Sequence, residues 1–162
     1  MQRPAIDLGI ILRAAEATAA EFDDRSEVER NELAKAIAQV YAYPMTAYRL
    51  ARALDDETSI DVDSLDIGEL ELMDYNVNEE HRKVCQAWVR DHGIQPPLPI
   101  GTRIINHVSG EVGIIDEFAD ERSPACYLVK PEGQDDEKTG HMRWVIKFED
   151  AIAAPRQLGE PA

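Results

Sequence analysis

The sequence predicts an α+β chain: an N-terminal helical bundle followed by a small antiparallel β-barrel. Three observations predict it. Apolar residues recur at helical spacing from Leu8 to Val89, the proline cluster Pro96, Pro97 and Pro99 then forbids further helix, and short β-rich runs with glycine turns follow. With 44% hydrophobic and 30% charged residues among 162, the chain has enough apolar side chain for a packed core.

The first helix is expected over residues 4–22, with Pro4 in its first turn and Leu8, Ile11, Leu12, Ala15, Ala19 and Phe22 on its buried face. Ser26 and Glu29 have capping-box spacing, so a second helix should run from there to about Tyr41, burying Leu33, Ala36, Ile37 and Val40. Tyr43-Pro44 ends it, because proline disfavours helical geometry in the preceding residue. A third helix over 45–54 buries Ala47, Leu50, Ala51 and Leu54, and these alanine-rich faces favour a close-packed bundle.

Residues 53–81 carry eleven Asp and Glu and no Lys or Arg. Interleaved Ile67, Leu70, Met73 and Val77 form a helical stripe, while Ile60 and Val62 suit extended chain, so this acidic stretch should be folded and present a negative face. A further helix is expected over 79–92, with Val84, Cys85, Trp88 and Val89 on its apolar side and Gly93 as a left-handed cap. The domains therefore read as helical over 1–93, a proline-rich connector over 94–100, a five-stranded barrel over 101–152 and a tail over 153–162. Strands are expected over 101–108, 111–118, 125–130 and 142–147, with Ser109-Gly110 as a hairpin turn and room for a short fifth.

The charge balance restricts function. There are 17 Lys and Arg against 32 Asp and Glu, a net charge of −15. Such a surface repels phosphate backbones and anionic lipid, which disfavours direct nucleic-acid or membrane binding. No apolar run is long enough to span a bilayer, the opening residues lack a small-residue cleavage site, and neither Cys85 nor Cys126 belongs to a CxxC pair, so a cytoplasmic location is expected.

In the C-terminal part, GTRIINHVSGEVGIIDEF, CYLVK and MRWVIKFEDA order a glycine-led strand, a tight turn, a Tyr-bearing strand, a Trp-bearing strand and a closing FED turn. This third of the chain resembles the small barrels of the Tudor and KOW type. The resemblance implies a binding module that uses Tyr127 and Trp144 with the loops at 116–122 and 132–139. Residues 95–162 hold 7 basic and 12 acidic residues, unlike a nucleic-acid reader of that kind. Ordinary burial preferences offer the competing reading that both rings pack the barrel.

Motifs that could carry chemistry are few. Asp63-Ser64-Leu65 resembles the serine segment of acyl carrier proteins, against the simpler reading of a helix cap. The helix over 45–54 reads like the start of a helix-turn-helix, but the acidic sequence after it rules out groove reading. His81 and Cys85 share helical spacing, yet two ligands do not make a metal site, and Asp61, Asp63 and Asp66 lack the turn glycine of a calcium loop. No catalytic constellation, cofactor motif or metal set is expected.

The leading expectation is a non-enzymatic adaptor or inhibitor that docks on a protein partner with a basic surface through Asp61, Asp63, Asp66, Glu69, Glu71 and Asp74. A partner surface built for nucleic acid would suit such carboxylates, and small acidic proteins of phage and mobile elements, the anti-restriction and anti-CRISPR types, are similar in size and charge. Three readings compete. One takes the charge as a solvated face; another makes the barrel, through Tyr127 and Trp144, a peptide or protein recognition module on a helical scaffold or dimerisation domain; the third is an acyl-carrier-like or other enzyme-associated protein.

Overall fold

The computed structural model describes residues 2–63 and 66–155, and in them the chain is α+β. Helices α1 (Leu8–Ala19), α2 (Glu27–Val40), α3 (Ala47–Glu57), a single turn α4 (Ile67–Leu70) and α5 (Leu72–His92) come first. Strands β1 (Arg103–Asn106), β2 (Val112–Phe118), β3 (Cys126–Pro131), β4 (Trp144–Lys147) and β5 (Ala151–Ala153) follow, with a short helix α6 (Asp136–Thr139) before β4 and a 3-10 turn Phe148–Asp150 after it. The chain divides into two compact units, one up to Val84 and one from Cys85 onward, each with its own apolar core. No helix among the described residues is long and apolar enough to cross a membrane.

In the helical unit, α2 begins as its capping box requires. Ser26 Oγ accepts from Glu29 N, while the Glu29 carboxylate accepts from Ser26 N. Hydrogen bonding from the Ser26 side chain first, and from its amide second, holds the Glu29 carboxyl below its usual pKa. Leu33, Ala36 and Ile37 are buried, as are Leu50, Ala51 and Leu54 of α3, so both stripes follow the sequence pattern.

The first helix differs. It starts at Leu8 with Asp7 as its cap, whose carboxylate accepts from Ile10 N at 2.9 Å, and Pro4 lies outside it. Its buried face is Ile10, Ala14, Ala15, Thr18 and Ala19, whereas Leu8 is 76% exposed and Leu12 is exposed too. Small residues win this face because Thr18 must reach its partners: its hydroxyl donates to Ala14 O and accepts from Asn76 of α5 at 3.0 Å. The contact with α5 thus rotates the helix away from its larger apolar residues.

Helix α5 begins at Leu72, seven residues before the expected start, because the stripe Met73 and Val77 continues without interruption into the following turns. His81 extends that line and donates from Nε2 to Pro4 O at 2.9 Å. Gly93, at φ +58°, closes the helix, and Ile94 N returns to Val89 O.

The sheet unit is an antiparallel sheet of order β4-β3-β2-β1-β5. The hairpin joining β1 and β2 turns at Gly110, where φ is +75° and the amide donates to Asn106 O at 2.7 Å. One face packs Ile104, Ile115, Tyr127, Val129 and Ile146. The expected barrel is not closed; β4 and β5 remain edges of an open sheet.

Covalent geometry nonetheless bends this sheet. Four peptide steps from Lys147 to Ala151 span at most about 14 Å, whereas flat edges five strands apart would lie about 19 Å from each other. In place of a closing ladder, the 3-10 turn fills the gap. Phe148 N donates to Ala125 O beside β3, and Asp150 O accepts from His107 N just beyond β1.

Candidate functional site

The turn between α1 and α2 must reverse the chain in a few residues, and it does so around one apolar anchor. Phe22 is only 2% exposed within the helical core, so Glu21, Asp23 and Asp24 on either side are turned to solvent. Phe22 O accepts from Arg30 Nε at 2.8 Å and from Arg25 N at 3.2 Å, which fixes the turn.

Arg25 then joins this turn to the distant acidic segment. Its guanidinium lies 5.1 Å from the centre of the Phe22 ring, pairs with Asp66 at 2.8 Å and reaches Asp61 O at 3.4 Å. Asp63 and Asp66 brace the same loop, each carboxylate accepting from the other's amide at 3.2 and 3.1 Å.

This latch creates a hollow of about 310 Å³ lined by Glu21, Phe22, Asp23, Asp24, Asp66 and Glu69. Five carboxylates therefore face one concavity with Arg25 as the nearest well-seated cation. Arg30 is 3.8 Å from Asp23, but the Asp23 side chain is fully exposed and water screens that pair. Glu69 Oε2 is buried and has no hydrogen-bond partner among the described residues. Bringing these groups together costs electrostatic energy that a cation from outside would relieve.

The six acidic residues singled out by sequence divide into distinct roles. Asp66 is the half-buried latch and Glu69 a half-buried wall of the hollow. Asp61, Asp63 and Glu71 are exposed. Asp74 faces the fold: it accepts from Tyr41 Oη and from Met45 N at 3.3 Å. Burial first, and that carboxylate second, push the Tyr41 phenol far above its usual pKa. Glu21, Asp23 and Asp24 were missed because their approach to Asp66 and Glu69 spans over 40 residues, although a carboxylate triplet flanking one aromatic was visible in the turn.

The aromatic pair is placed differently from the resemblance's expectation. Tyr127 is fully buried, its ring 4.5 Å from Phe148 and 6.2 Å from Phe118 by centroids, and its hydroxyl accepts from Leu98 N at 2.8 Å. Trp144 is half-buried against the same core. Neither ring stands free in a recognition loop, and the loop charges are largely consumed internally. Arg143 bonds Asp116 and Asp136, Lys130 reaches Asp136 at 2.7 Å, and Arg103 grips Glu132 at 2.8 and 2.9 Å. Hydrogen bonds from Arg143, and next from Lys130, hold the Asp136 carboxyl down to about 2, and Arg103 similarly lowers Glu132.

Other candidates do not assemble. His81 is engaged with Pro4 O, Cys85 is a buried thiol, and no group of three metal-ligating side chains forms among the described residues. Ser64 lies outside the described residues. No family model, curated protein or solved structure matches this chain.

Proposed function

We propose that this chain is a non-enzymatic protein-binding module that docks on a basic partner surface through the acidic hollow of its helical unit. The observation that carries this reading is the convergence of Glu21, Asp23, Asp24, Asp66 and Glu69 on one concavity, beside the exposed carboxylates of Asp61, Asp63 and Glu71. Within the unit ending at Val84 there are 19 acidic residues against nine basic ones, so the field around the hollow is negative well beyond its rim. A partner surface that ordinarily takes nucleic acid presents Lys and Arg at comparable density, and carboxylates held at fixed positions can occupy it in place of phosphates. An adaptor or inhibitor of a nucleic-acid-handling protein, of the kind carried by phage and mobile elements, is the role most compatible with that chemistry.

The test is affinity capture from a lysate of the source cells at low and moderate salt. Wild type is compared with a variant carrying Glu21→Gln, Asp23→Asn, Asp24→Asn, Asp61→Asn, Asp63→Asn, Glu69→Gln and Glu71→Gln. Asp66 and Asp74 are left intact because they hold the fold together. Loss of a basic, nucleic-acid-handling partner from the variant supports the reading. Equal capture by both proteins contradicts it.

A further inference from the structure

A second concavity lies wholly within the sheet unit, between the last turns of α5 and the loop joining β2 to β3. It is an open groove with a volume of about 400 Å³. Val89, Ala119, Pro124 and Ala125 supply apolar wall, and Asp120 and Glu121 stand exposed at its rim.

The walls are held by the fold. Gln86 Nε2 donates to Glu121 O at 2.6 Å and ties the loop to the helix. Ala119 N donates to Cys126 O at 3.0 Å, and Asp120 folds the loop tip by accepting from Arg122 N at 2.9 Å. Ala125 sits at φ +53°, an uncommon conformation for a residue with a Cβ, and its carbonyl accepts from Phe148 N at 3.0 Å. The groove therefore does not need to be organised by its occupant, which lowers the entropy cost of binding.

Its charges are unevenly neutralised. Arg90 lines the helix side but is paired with Asp91 at 2.8 Å. Arg122 lies 3.7 Å from Asp120 with both side chains mostly exposed, so that pair is weak and exchangeable. The Glu121 carboxylate makes no ion pair among the described residues. An apolar wall ending at the Glu121 carboxylate and at the weakly paired one of Asp120 matches a long cationic side chain, whose methylene stem would cover Val89 and Pro124 while its head meets Glu121 and displaces Arg122 from Asp120.

We infer that this groove binds an arginine side chain presented by an extended peptide segment of a partner. The site is in the other unit from the acidic hollow and stands or falls independently of it. The experiment is a titration of the ¹⁵N-labelled full chain with the peptide acetyl-Ala-Leu-Arg-Ala-amide, and with its citrulline counterpart, which keeps the shape and loses the charge. Saturable shifts at the Ala119, Arg122 and Ala125 amides are expected with the arginine peptide, weakened about tenfold with citrulline, the loss of one charged contact. The double variant Asp120→Asn and Glu121→Gln should weaken binding similarly, since the first of these substitutions keeps the side-chain oxygen that caps the loop. Val89→Trp, which fills the trough, should abolish it while the remaining spectrum stays that of the folded protein. Equal response to both peptides, shifts centred on Glu21 to Asp24 instead, or no shift up to millimolar peptide would overturn the assignment.

Discussion

Tyr41 and Asp74 form a contact that holds the phenol in its neutral form. The phenol is almost wholly buried and donates a hydrogen bond to the carboxylate, so the tyrosine keeps its proton, and Asp74 accepts from Met45 N as well. Tyr41→Phe removes a hydrogen bond to a charged group, and urea unfolding should register a loss of about 1.5–3 kcal/mol. Asp136 makes a different prediction, one that depends on pH. Its folded pKa is depressed to about 2 by Arg143 and Lys130, so the stability it contributes is fully present above the ordinary carboxylate range near 3.8. That contribution disappears as pH falls from there through about 2. Asp136→Asn should therefore be destabilising at neutral pH, and the difference from wild type should shrink steadily in denaturant titrations run between pH 5 and pH 2.

At the scale of elements, one glycine sets how closely two strands approach. A Cβ on Gly113 would lie 2.5 Å from Lys130 O and 2.5 Å from a Val129 methyl, both in the neighbouring strand β3. Backbone cannot yield as a flexible side chain can, so Gly113→Ala must push β2 from β3. An overpacking cost of about 1–3 kcal/mol is expected in thermal or urea unfolding of the variant. The elements themselves were legible to different depths. The capping box at Ser26, the stripes of α2 and α3 and the Gly110 hairpin follow from rules that act within a few residues, and the sequence shows them directly. The orientation of α1 does not, because it is decided by Thr18 meeting Asn76, 58 residues away. Periodicity places Leu8 and Leu12 on the buried face together with Ala15 and Ala19; the observed packing keeps the two alanines and takes Ile10, Ala14 and Thr18 in place of the leucines. The open sheet is a related case: strand count and turns were readable, but whether the two edges pair depends on where Phe148 and Asp150 send their backbone hydrogen bonds.

Across the whole molecule, charge is abundant and what distinguishes one carboxylate from another is its partner. The acidic segment was visible as a run without Lys or Arg, yet it is Arg25, 41 residues before Asp66 in sequence, that ties this segment to the turn carrying Glu21, Asp23 and Asp24. Tyr127 illustrates the converse, since an aromatic in a strand has the same sequence signature whether it reads a ligand or fills a core, and here it fills the core. The proposed docking role rests on the position of the hollow carboxylates rather than on net charge, and one comparison separates the two. The captured partner's affinity should be measured, at a single ionic strength, for wild type and for two variants of identical net charge. One carries Glu21→Gln, Asp24→Asn and Glu69→Gln in the hollow; the other carries Glu16→Gln, Glu32→Gln and Glu117→Gln at exposed positions outside it. The account predicts a loss of affinity of about tenfold or more for the hollow variant and little change for the other. Equal weakening of both, or of neither, would contradict it.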